Sequence, residues 1–319
     1  MTRHFLDVDD LSCDELDDVL ATAALPVAEA PQVLAGRGAA LVFEKPSART
    51  RSSTELAVVG LGGHPVYIQG PEVGIDVRET AEDVARTLAC YHAVLCARVL
   101  DHTTLVRMAG ALDASPTPVD GDTFPKPVPV VNLLSDRAHP CQALADLLTF
   151  RQVFGNVEGR TVAYIGDANN VWRSLALAAA MSGIVLRTAS PEGYGPDADD
   201  LARVARLGGE VEVTSDPMEA ATGADALYTD VWTSMGQEEE QELRRKAFAG
   251  FTIDTDMLGR AAPDAVVLHC LPAHRGEEIT SEVLEGPRSV VWRQAANRMH
   301  AVRGLLGWLL GPGAGGEPR

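Results

Sequence analysis

Several short stretches of the chain carry charged or nucleophilic side chains at spacings that chemistry can use. The first is Glu44-Lys45-Pro46-Ser47-Ala48-Arg49-Thr50-Arg51, which follows an apolar run at 39–43 and leads into a helical pattern through Leu56, Val59 and Leu61. A strand that turns into a helix in this way can bind an anion. Backbone N–H groups at a helix start point at the ligand, the helix dipole favours negative charge, and hydroxyls and guanidiniums add charge-assisted hydrogen bonds. The same stretch also suits an ordinary capped helix with surface arginines. The second is His139-Pro140-Cys141-Gln142, where Pro140 fits the first position of a helix and so keeps the His139 ring and the Gln142 amide within one turn. A neutral imidazole and a carboxamide can donate to and accept from a small planar group. A structural histidine is the alternative, and zinc at Cys141 lacks the ligand spacing.

Three further stretches follow apolar runs. In Tyr164-Ile165-Gly166-Asp167-Ala168-Asn169-Asn170 a ligand can sit at the strand end, but only Gly166 matches G-x-G-x-x-G, because Ala168 and Val171 occupy the other glycine places. A nicotinamide dehydrogenase loses its main support there. In Tyr228-Thr229-Asp230-Val231-Trp232-Thr233-Ser234-Met235-Gly236, Asp230 can hold an ammonium, or the segment is a plain turn. In His269-Cys270-Leu271-Pro272, Cys270 ends a strand, a place where a buried cysteine can equally be inert packing.

Apolar runs at 39–43, 65–68, 93–97, 128–131, 161–165, 184–188, 226–229 and 265–269 predict strands that alternate with stretches of helical length, and alternation means parallel sheets. With 319 residues, two domains are expected. The joint falls at Ser135-Asp136-Arg137, after which a helix runs to about Phe154, its apolar residues Ala143, Leu144, Leu147, Leu148 and Phe150 forming a near-helical stripe. The tail 311–319 is too rich in glycine and proline to hold structure. Glu238-Glu239-Glu240 is read as solvated surface.

The net charge of -18 repels nucleic acid and anionic membrane alike, so an anionic ligand must be met by arginines gathered at one place. The 46% hydrophobic content is that of a globular protein, and no segment has the length of a membrane span. Five cysteines, odd in number and without a C-x-x-C pair, argue for a reducing cytoplasm.

Taken in order, Ser47-Ala48-Arg49-Thr50-Arg51, His139-Pro140-Cys141-Gln142, Asp230-Val231-Trp232-Thr233-Ser234-Met235-Gly236 and His269-Cys270-Leu271-Pro272 resemble the signature motifs of the ornithine carbamoyltransferases. The resemblance covers about residues 35–310. It implies two Rossmann-like α/β domains with parallel sheets flanked by helices: a carbamoyl phosphate domain at 1–135, an ornithine domain at 136–290, and a C-terminal helix at 291–310 that returns to the first domain. It implies carbamoyl phosphate and L-ornithine as the substrates, no metal or organic cofactor, and a homotrimer or a multiple of trimers.

By the same resemblance Ser47, the Ala48 backbone, Arg49 and Thr50 bind phosphate, and Arg98 spans phosphate and carbonyl oxygen. His139 and Gln142 hold the carbamoyl group, and Arg298 reaches the carbamoyl phosphate. Asn170, Asp230, Ser234 and Met235 contact ornithine, while Cys270 and Leu271 meet the carbamoyl group and the amine. Arg98, His139 and Cys270 are the implied catalytic residues. Two departures stand out. Ala48 replaces a threonine of the family motif, and Gly74 stands where many relatives carry a glutamine lent to a neighbouring subunit, a contact that Arg78 replaces or that is missing.

Overall fold

A strand inside a helix-covered parallel sheet is buried on both faces, so it is written as an unbroken apolar run rather than an alternating one. The computed structural model describes residues 2–114, 128–233 and 238–311. In chain order its strands are β1 (Gly38–Phe43), β2 (His64–Gln69), β3 (His92–Arg98), β4 (Val130–Leu134), β5 (Thr161–Ile165), β6 (Val185–Ala189), β7 (Val211–Thr214), β8 (Ala226–Thr229) and β9 (Val266–His269). They form two sheets, ordered β2-β1-β3-β4 and β7-β6-β5-β8-β9, and the strand pairings are parallel throughout. The fold is α/β with two parallel sheets flanked by helices.

β7 has no counterpart among the expected runs. Its sequence Val-Glu-Val-Thr alternates, it lies at a sheet edge, and Val213 is 51% exposed. A half-solvated edge strand does not need an apolar run. The edge strand of the other sheet, β2, carries Pro65, which is tolerated because an edge leaves one row of N–H groups outside the ladder.

The chain divides into two compact units, Met1–Leu148 with Arg298–Arg319, and Thr149–Asn297. The first unit's core gathers Val42, Leu95, Leu105 and Met108; the second gathers Ile165, Leu227, Phe248 and Val267. These limits differ from boundaries at 135/136 and 290/291, because they fall inside the helices Pro140–Phe154 and Val291–Leu310. The start of the former stays with β4, where Cys141 Sγ donates to the Asn132 carbonyl at 3.3 Å. The end of the latter lies on the helix Cys13–Ala24: a Cβ on Gly304 would come within 2.5 Å of Ala23. Beside it the buried Arg303 donates to the carbonyls of Ala23 and Leu25, which the end of that helix leaves open. The last helix thus returns to the first unit. Residues 312–319 of the expected frayed tail lie outside the described residues. Among those described, no helix is long and apolar enough to cross a membrane.

Candidate functional site

In an open parallel sheet, ligands bind beyond the carboxyl ends of the strands where the strand order reverses. In the first sheet that point lies between β1 and β3, and in the second between β5 and β8. Ser47 to Thr50 follow β1 and Arg98 ends β3; Asn169 and Asn170 follow β5 and Asp230 follows β8.

In the first unit, Ser47 is the N-cap of the helix Ala48–Gly60, its Oγ accepting from the Thr50 amide at 3.3 Å. The Thr50 hydroxyl is the hub of the cluster. It receives Ser47 Oγ at 3.1 Å, Arg98 Nη1 at 3.4 Å and Arg298 Nη2 at 3.0 Å. Arg298 Nη1 also donates to Gln142 Oε1 at 2.6 Å and faces His139 Nε2 at 3.3 Å. A guanidinium has no lone pair to offer, so His139 Nε2 is the acceptor in this contact. Gln142 is turned by Asp146, which accepts from its Nε2 at 2.8 Å. Arg98, His139, Gln142 and Arg298 are each at most 6% exposed.

Two guanidiniums buried side by side repel each other. Burial first, and then the charges of Arg298 and Arg49, push the Arg98 guanidinium down to about 10. Burial, followed by Arg298 and Arg98, holds the His139 imidazole well below its ordinary value, so it is neutral at pH 7. An anion placed here would pair with the cations and would meet the first amides of a 13-residue helix. Arg49 is exposed at that helix start, and Ala48 keeps its backbone N–H there despite the lost hydroxyl. Arg51 points elsewhere, held by Glu55 at 2.8 Å and lying over the Tyr67 ring.

In the second unit, Asp230 is 6% exposed and both its oxygens are engaged. Oδ1 accepts from the Val231 amide at 2.8 Å and from Cys270 Sγ at 2.7 Å, and Oδ2 accepts from Asn169 Nδ2 at 2.9 Å. Asn170 begins the helix Asn170–Met181 and is half-buried. Leu271 has φ 61, and its amide donates to His269 Nδ1 at 2.8 Å, while His269 Nε2 faces the buried Glu278 at 3.0 Å. Asp230, His269 and Cys270 bring ligand atoms within 4.8 Å of one another, but both nitrogens of His269 are already engaged, which does not suit a metal centre. Cys141 is buried and its thiol is pushed up to about 12, far from the thiolate that zinc needs. Ser234 and Met235 lie outside the described residues.

Asn169, Asp146 and Glu278 are site residues that motif reading passed over. Asn169 had a signal, since asparagine is a favoured N-cap. Asp146 had one too, four residues beyond Gln142 on a helix. Gly74, at φ 63, closes the short helix Gly70–Val73, and a Cβ there would sit 2.9 Å from Arg78 Cγ. Glycine is therefore what this loop conformation requires. Glu239 and Glu240 are exposed, Glu240 pairing with Arg244.

Residues 3–152 match the carbamoyl-P binding domain of aspartate/ornithine carbamoyltransferase, and residues 158–309 match its Asp/Orn binding domain. The chain belongs to the aspartate/ornithine carbamoyltransferase family. Within it, the chain is 50% identical over 325 residues to an ornithine carbamoyltransferase of Acidothermus cellulolyticus, covering 99% of each. It superposes with TM-score 0.85 on the ornithine carbamoyltransferase of Thermus thermophilus, at 44% identity over 98% of this chain and 100% of that one. The enzyme from Pyrococcus furiosus gives 0.87, at 41% identity over 95% and 96%. The two matched regions meet between residues 152 and 158, close to the division between the units, and the second region extends into residues 298–309, which lie with the first unit.

Proposed function

We propose that the chain transfers the carbamoyl group of carbamoyl phosphate to the side-chain amine of L-ornithine, giving L-citrulline and phosphate. The observation that carries this reading is the pair of buried guanidiniums, Arg98 and Arg298, sharing the Thr50 hydroxyl at a helix start. Ser47, the Ala48 amide, Arg49 and Thr50 bind the phosphate, and its charge relieves the repulsion among the arginines. His139 and Gln142 hold the carbamoyl group, with Arg298 beside them. Phosphate is a good leaving group, so the chemistry needs mainly position and a polarised carbonyl. Arg98, His139 and Thr50 stabilise the oxyanion as the amine attacks.

On the amino-acid side Asn170, Asp230, Ser234 and Met235 bind ornithine, and Cys270 and Leu271 meet the reacting groups. An alkyl amine with a pKa of about 10.4 is almost wholly protonated at neutral pH. The arginines that bind phosphate lower that value as the amine approaches, Asp230 and Cys270 orient it, and departing phosphate takes the proton. Cys270 donates to Asp230, and a covalent role for it is not implied. Neither metal nor organic cofactor enters the reaction. Five free cysteines support a reducing cytoplasm as the compartment, and arginine metabolism is the setting for the product. The active form is a homotrimer or a multiple of it, with Arg78 a candidate for the contact that Gly74 does not make.

The test is product formation from carbamoyl phosphate with ornithine, putrescine, acetylornithine or aspartate as acceptor. Citrulline from ornithine alone is expected. Carbamoylation of another amine would move the specificity, and no product from any acceptor would leave a silent homologue.

A further inference from the structure

Asn169 faces two elements at once. Its Oδ1 accepts from the amides of Val171 at 2.9 Å and Trp172 at 3.2 Å, capping the helix Asn170–Met181. Its Nδ2 donates to Asp230 Oδ2 at 2.9 Å, beyond the end of the neighbouring strand β8. The other Asp230 oxygen is held by the Val231 amide and the Cys270 thiol. An N-cap needs only an acceptor, which serine, threonine or aspartate supplies equally well. An amide adds a donor on a second atom, fixed in the same plane. Capping therefore leaves the Nδ2 bond to Asp230 unaccounted for, and that bond joins the two strand ends on either side of the reversal in strand order.

We propose that Asn169 is a positioning residue for amino-acid binding. Anchored to a helix start by its oxygen, it fixes the rotamer of Asp230 with its nitrogen, so that the carboxylate is in place before an ammonium group arrives. The proposal rests on the reading of Asp230 as an ornithine contact.

Asn169→Asp separates the two roles, because it keeps a capping oxygen and removes the donor, setting a second carboxylate against Asp230. Asn169→Ser keeps a capping hydroxyl too short to repeat the bond, and serves if the aspartate variant folds poorly. Both are assayed in the full chain beside Asp230→Asn, with KM measured for each substrate and Tm recorded. The expected result is a KM for ornithine raised about tenfold, the worth of one hydrogen bond to a charged group, with KM for carbamoyl phosphate within about twofold of the parent. A lowered Tm with an unchanged KM for ornithine would make Asn169 a cap alone and overturn the proposal. If Asp230→Asn also leaves that KM unchanged, the reading of Asp230 fails and the proposal falls with it. If only Asp230→Asn raises it, the proposal fails and the reading stands.

Discussion

Arg98 is costly to the fold that holds it. Its guanidinium is pushed down to about 10 by burial and by two like charges, a penalty on the order of 3 kcal/mol that is present at neutral pH and relieved only as pH rises through about 10. Arg98→Gln is therefore expected to leave the ligand-free Tm unchanged or higher, while the Tm rise produced by inorganic phosphate in the parent is lost. A fall in the ligand-free Tm would mean that the cation supports the fold rather than the ligand. His139 has a different signature. The unfolded chain takes up a proton near pH 6.5 that the folded imidazole refuses, so stability declines as pH falls through 6.5 and is indifferent to this group above it. In urea titrations, His139→Asn should flatten the decline between pH 5 and 6 by up to about 1.4 kcal/mol per pH unit. An unchanged slope would show that the ring is charged in the folded state. Motif spacing pointed to His139, and the family resemblance to Arg98 and Arg298, but nothing in the linear order told that Arg298 would share Thr50 with Arg98, because 248 positions separate it from that hydroxyl.

The helix Ala48–Gly60 owes its start to Ser47 and, in the proposed function, lends that start to phosphate. The two uses separate in Ser47→Asp. Aspartate caps as well as serine, so unfolding free energy should stay within about 0.5 kcal/mol of the parent. A fixed carboxylate at the helix start would nevertheless repel the ligand, and binding of carbamoyl phosphate, followed by calorimetry, should weaken about a hundredfold or more. Retained affinity would place the phosphate elsewhere. The strands show how burial governs legibility. The runs at 161–165 and 226–229 coincide with β5 and β8, since a central parallel strand must be apolar throughout. β7 escaped notice because an edge strand of four residues has a solvated side and follows no such rule. The helix Pro140–Phe154 was readable from Pro140 and its apolar stripe, yet the unit boundary inside it was not, because a helix that changes partner midway carries no break in composition.

The acidity of the chain, -18 overall, sets a repulsive background for its anionic substrate, and the gathered arginines overcome it only locally. Leu56 and Val59 stay 57% and 55% exposed, three residues apart on the helix that Ser47 caps. Exposed apolar residues of this kind are ordinary on a surface helix, so the subunit contact rests on the proposed function alone. Sedimentation should accordingly give three times 33.9 kDa or a multiple of it, and a mass of one chain would remove the subunit contact from the proposal. The linear sequence determined the α/β class, the parallel sheets and the motif residues, because strand burial and helix capping are local demands that each segment writes into its own composition. Tertiary structure alone decided that the unit boundaries fall inside two helices, that Arg298 joins Arg98 on one hydroxyl, and that Asn169 holds Asp230. The last two are pairings of groups far apart along the chain, and only the winding of strands about a reversal point brings them within hydrogen-bond reach.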